Sequence, residues 1–144
     1  MYYSEEVYEL RTKVILCVIV FIIVVSIGLL FIFKRFGVSK NVILEAIKKE
    51  ESFVIYFNER SKNCSNCDMV KERLDTAGVT YYDFNIRGDG VDTVLEKLNV
   101  SFTVYAPTVF VIKKGKMAYN IVNIKEQETI DSFIRYHGLA EIGK

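Results

Sequence analysis

Residues 53–75 read FVIYFNERSKNCSNCDMVKERLD, and the order of residue types in that stretch decides what the chain can fold into. Phe53–Phe57 is a short, nearly all-apolar run of β-prone residues, the pattern of a strand buried on both faces. Polar residues 58–63 follow as a loop. From Cys64 the apolar period becomes helical: Cys67, Val70, Leu74 and Ala77 share one face. Asn63 has the side chain of an N-cap, and Gly78 that of a helix stop. A buried strand therefore leads through a polar loop to a helix whose first turns carry Cys64 and Cys67.

The same alternation continues on both sides. Upstream, Lys40–Ser52 places Val42, Ile43, Ala46 and Ile47 on one helical face, with charges opposite. Downstream, residues 79–86 (VTYYDFNI) predict a second strand, RGDG a turn, and residues 91–100 a short helix. After SFTVYA stands Pro107, the chain's single proline. Residues 108–122 read as two strands joined by a tight turn at Lys113–Lys116. A last amphipathic helix carries Ile130, Phe133, Ile134 and His137 on one face. Strands separated by helices pair in parallel, and the late hairpin adds an antiparallel edge. The expected fold class is α/β: one mixed four-stranded sheet with helices on both faces.

Ahead of this domain, residues 14–33 (VILCVIVFIIVVSIGLLFIF) carry no charge. As a helix they would cover about 30 Å, the thickness of a bilayer's hydrocarbon core. The run is too long for the apolar part of a signal peptide, and Lys34 and Arg35 follow it where a cleavage site would need small residues. The organisation predicted is an N-terminal flank (1–13), a transmembrane anchor (14–33), a linker (34–39) and a folded domain (40–144). Cys17, inside the apolar run, reads as a small apolar membrane residue. Lys34, Arg35 and Lys40 lean towards a cytoplasmic domain, but the charge rule is weakest before a long domain. From residue 37 onward 15 basic and 15 acidic residues balance, so a nucleic-acid partner is not expected.

Two cysteines three positions apart at a helix start allow three chemistries: a redox disulfide, part of a metal site, or two buried thiols. At the helix start, free N–H groups and the helix dipole favour an anion, which makes Cys64 the reactive thiolate. Cys67, one turn in beside Val70 and Leu74, is expected to be more buried. That asymmetry suits two-step exchange, in which Cys64 attacks and Cys67 resolves. Glu59, Lys62 and Asp68 are the candidates for tuning Cys64: a cation lowers its pKa and an anion raises it. A zinc site needs about four ligands. Here a third cysteine lies in the apolar run and the one histidine, His137, is more than sixty residues away. Soft thiolates would also suit copper(I).

The strand–CxxC–helix unit, with YAPTVFVIKKGKM some forty residues later, resembles the thioredoxin superfamily over nearly all of residues 40–140. The resemblance implies a thioredoxin-like fold preceded by one transmembrane helix. It implies a thiol–disulfide oxidoreductase with Cys64 as nucleophile and Cys67 as resolving thiol, and no cofactor beyond that pair. It also implies a cis peptide at Pro107 beside Cys64, with Ala106 and Pro107 shaping the groove for a substrate chain. The partners implied are protein thiols and disulfides, with a membrane electron donor or secretion partner, and the location is the cell membrane with the domain facing outward. The chain departs from typical thioredoxin in several places. It has no tryptophan, Asn63 precedes the first cysteine, and Ser65-Asn66 stand between the two. Tyr56 and Phe57 occupy the region of the family's buried acid. More narrowly, the chain resembles membrane-anchored thioredoxin-like proteins of bacteria, including accessory proteins of Gram-positive bacteriocin secretion. The alternatives are a tethered copper(I) carrier of the same fold and a redox-inactive scaffold.

Overall fold

A computed structural model describes residues 13–23, 38–60 and 63–143. The chain divides into two compact units, Met1–Phe36 and Gly37–Lys144. In the first, residues 13–23 lie in a helix, α1, whose apolar side chains from Val14 to Ile23 stand exposed. Among the described residues no helix is long and apolar enough to cross a membrane. Residues 24–33 of the expected anchor and most of the linker lie outside the described residues.

The second unit runs α2 (Lys40–Lys48), β1 (Phe53–Asn58), α3 (Ser65–Thr76), β2 (Tyr81–Asn85), α4 (Val91–Lys97), β3 (Thr108–Lys113), β4 (Lys116–Ile121) and α5 (Gln127–His137), with a 3-10 turn at Leu139–Glu141. The strand order is β2-β1-β3-β4. β1 pairs in parallel with β2 and antiparallel with β3, and β3 pairs antiparallel with β4. The mixed four-stranded sheet is the one the sequence predicts. β1 is central and all six of its residues are buried, because each face meets a different helical layer. Ile55 and Phe57 join Ile43, Ile47 and Val94 of α2 and α4. Val54 and Tyr56 join Cys67, Val70 and Leu74 of α3 and Ile130 and Ile134 of α5.

Several boundaries differ from the periodicity. α2 stops at Lys48 rather than Ser52, because Glu50 takes a positive φ of 56° and the Glu51 N–H turns back to the Ala46 carbonyl. α4 stops at Lys97 because Asn99 does the same, with Val100 N–H on the Leu95 carbonyl. These are left-handed helix stops of the kind glycine usually makes. Gly78 makes the expected one after α3, its φ being 68°. Val42 and Ala77, expected on core faces, are exposed. α5 buries Ile130 and Ile134, while Phe133 and His137 sit half-buried at its margin.

Candidate active site

Asn63 is not the N-cap of α3. Cys64 itself takes that position, and its Sγ accepts a hydrogen bond from the Cys67 N–H at 3.2 Å. A sulfur thus occupies the place where a serine or aspartate oxygen normally sits. Cys64 is half-buried, and Cys67 is buried at 5% exposure. The two are joined as a disulfide, S–S 2.04 Å and Cα–Cα 5.1 Å, a separation within the usual range for such bonds. The arrangement can present one sulfur to a partner while the other stays covered. It aims an N–H donor at the presented sulfur, where a thiolate would form a charge-assisted hydrogen bond.

Beneath α3 lies Tyr56, 1% exposed, whose hydroxyl donates to the Cys67 carbonyl at 2.7 Å. Its ring meets Tyr81 edge-on at 5.7 Å. Burial, and after it the negative charges of Asp83 and Asp68, push the Tyr56 hydroxyl far above the usual tyrosine range. It remains a protonated donor at any physiological pH. Sequence reasoning noted Tyr56 only as filling the region of a buried acid. The available signal was a hydroxyl inside an otherwise apolar strand, since a buried tyrosine usually finds a partner for its O–H.

Charged residues pin the loop before Cys64. The Asn58 amide donates to the Asp83 carboxylate, which also meets Arg60 at 3.0 Å and Lys71 of α3 at 3.8 Å. Glu59 pairs with Arg87 at 2.6 Å. Of the three tuning candidates, Glu59 is therefore committed to Arg87, and Asp68 is exposed in the first turn of α3. Lys62 lies outside the described residues. Asp83 was missed because its register opposite Tyr56 exists only once β1 and β2 pair.

The Ala106–Pro107 peptide is cis. Ala106 is half-buried against the same core cluster as Cys64, and Pro107 is buried. The buried Thr108 hydroxyl donates to the Tyr105 carbonyl at 2.5 Å and accepts from the Asn123 N–H at 3.3 Å. Ile124 N–H reaches the Pro107 carbonyl at 3.1 Å. The segment is therefore held from behind, leaving Phe102 and Tyr105 exposed ahead of it. His137 stacks on Tyr119 at 4.0 Å and touches Phe133 and Tyr136, which gives its ring an aromatic surround. Among the described residues no group of three or more His, Cys, Asp or Glu side chains is arranged to hold a metal ion.

The fold of this domain recurs in solved structures. Thioredoxin O2 of Arabidopsis thaliana in its oxidised state superposes with a TM-score of 0.51 at 24% identity, over 68% of this chain and 88% of that one. Oxidised thioredoxin of Plasmodium falciparum gives 0.50 at 20% identity, over 69% of this chain and 92% of that one. The domain has the thioredoxin fold. No protein-family model matches the chain, and no curated protein matches it either. In this thioredoxin-fold domain the disulfide and the helix N-terminus come from one stretch, Cys64 to Cys67, and the cis-proline segment from another, at Ala106 and Pro107.

Proposed function

We propose that the protein is a membrane-anchored thiol–disulfide oxidoreductase acting on protein thiols and disulfides. One observation carries the activity: Cys64 and Cys67 form a disulfide at a helix N-terminus, with Cys64 half-exposed and receiving the Cys67 N–H. In the reducing direction the Cys64 thiolate attacks a substrate disulfide, forming a mixed disulfide and expelling one substrate thiolate, which takes up a proton. Cys67 then loses its proton and attacks Cys64 Sγ, releasing the second substrate sulfur and leaving the Cys64–Cys67 disulfide. Two electrons pass from the protein to the substrate, and the reverse sequence oxidises a dithiol. Ala106 and Pro107 would line the substrate groove. The pair needs no cofactor.

Anchoring rests on the uncharged run at 14–33 and on the exposed apolar side chains of α1. In this reading residues 40–144 face outward, where disulfides form and need handling, and a membrane electron donor or secretion partner recharges the pair. The test uses the full chain in detergent. Cys64→Ser should abolish exchange with a model disulfide, and Cys67→Ser should trap a mixed disulfide. Activity retained by Cys64→Ser would refute the assignment. A reduction potential near about −120 mV would make the protein a disulfide donor, and one near about −270 mV a reductant.

A further inference from the structure

A phenylalanine at position 56 would pack inside β1 with no polar atom to satisfy. The chain instead buries a hydroxyl there, at the centre of the sheet, between its register partners Asp83 and Val109. Burying a hydroxyl is unfavourable unless it is hydrogen-bonded, and this one is spent on the backbone of Cys67. The accepting carbonyl lies inside α3, where the helix ladder already uses it, so the hydroxyl is not there to rescue an orphaned acceptor. What it adds is a fixed point. It ties the turn containing Cys67 to the most buried strand of the domain, at the residue whose N–H is aimed at Cys64 Sγ.

We propose that Tyr56 is a positioning residue for the Cys64–Cys67 pair: its hydroxyl holds the first turn of α3 so that the Cys67 N–H stays directed at the Cys64 sulfur, and it thereby sets the redox equilibrium of the pair. The inference rests on the oxidoreductase reading above. The N–H to sulfur bond is stronger to a thiolate than to a disulfide sulfur, because the acceptor is charged. Holding that N–H in place therefore favours the reduced state. Releasing it favours the disulfide, and the pair becomes more reducing.

Tyr56→Phe keeps the ring and its packing on Tyr81 and removes only the hydroxyl. Full chains in detergent are equilibrated against mixtures of reduced and oxidised glutathione. In Tyr56→Phe the equilibrium should move towards the disulfide by about 3- to 10-fold, the factor a single hydrogen bond is worth. Tyr81→Phe, which loses a hydroxyl bonded to Asp75 at 2.7 Å away from the sulfurs, should leave the equilibrium in place. A wild-type chain that forms no reversible disulfide overturns the oxidoreductase reading and this inference with it. A wild type that equilibrates while Tyr56→Phe stays within about twofold of it overturns the inference alone, as does an equal shift in both variants. Should Tyr56→Phe not fold, amide exchange in the reduced wild-type chain decides. A Cys67 amide protected like the middle of α3 supports the proposal, and one that exchanges like a frayed helix end overturns it.

Discussion

Leu74 anchors the far end of the active-site helix. It is fully buried and packs with Val54, Val70, Val79 and Ile130 between α3, the sheet and α5. Leu74→Ala removes three carbons from this site. At about 0.8 kcal/mol per buried methylene the lost transfer energy is about 2.4 kcal/mol, and the cavity left behind raises the total to about 3–4 kcal/mol. A domain with 5–15 kcal/mol of stability, a range typical of native proteins in general, would stay folded. Its melting temperature would fall by roughly 12–20 °C, at about 4–5 °C per kcal/mol. The assay is urea unfolding of residues 37–144, a compact unit with its own core, with the cysteine pair oxidised and again reduced. Leu74 sits ten residues from Cys64, and if α3 is a rigid platform Leu74 supports both redox states alike. The two drops should therefore match, and the exchange equilibrium should stay within about threefold of wild type, since equal destabilisation cancels in the cycle. A loss below about 1 kcal/mol would mean that this layer is not close-packed. A large loss confined to one redox state would refute the view that α3 is a rigid platform.

Two further outcomes follow from the same structure. Arg73 holds Asp131 through two hydrogen bonds of 2.7 and 3.0 Å across the α3–α5 contact, and that bonding lowers the Asp131 carboxyl below its ordinary range. A depressed folded-state pKa gives stability that is present above the unfolded value, about 3.9, and is lost as pH falls through the folded one. The stability difference between wild type and Asp131→Asn should thus shrink as urea titrations move from pH 5 to pH 2, and a difference that grows would refute the pairing. Gly115 closes the β3–β4 turn at a φ of 70°, and a Cβ there would meet the Ile47 carbonyl at 2.5 Å. Gly115→Ala should cost about 1–3 kcal/mol in the same titration, and a neutral result would show that the turn does not press on α2.

Much of the fold could be read from local patterns. Phe53–Phe57 announced a strand covered on both faces, and it is the central strand. The change of period at Cys64, the proline ahead of Thr108 and the Lys113–Lys116 turn each mark a boundary that the structure keeps. The helix ends were harder. Glu50 and Asn99 adopt the left-handed conformation that Gly78 adopts, yet glutamate carries no turn signal of its own. Its conformation follows from where the chain must go next to start β1.

The amino-acid sequence by itself determined the mixed α/β order, the CxxC pair at the start of a helix and the uncharged run at 14–33. These are legible because burial on a period of 2 or 3.6 is a property of neighbours in the chain. Only the tertiary structure decided that Cys64 rather than Asn63 caps α3, that Glu59 turns to Arg87, that Asp83 gathers Asn58, Arg60 and Lys71, and that Tyr56 reaches the Cys67 carbonyl. Each of these depends on groups brought together by strand register and helix packing. A hydrogen bond is selected by distance and angle in space, and the spacing of residues along the chain carries no record of it.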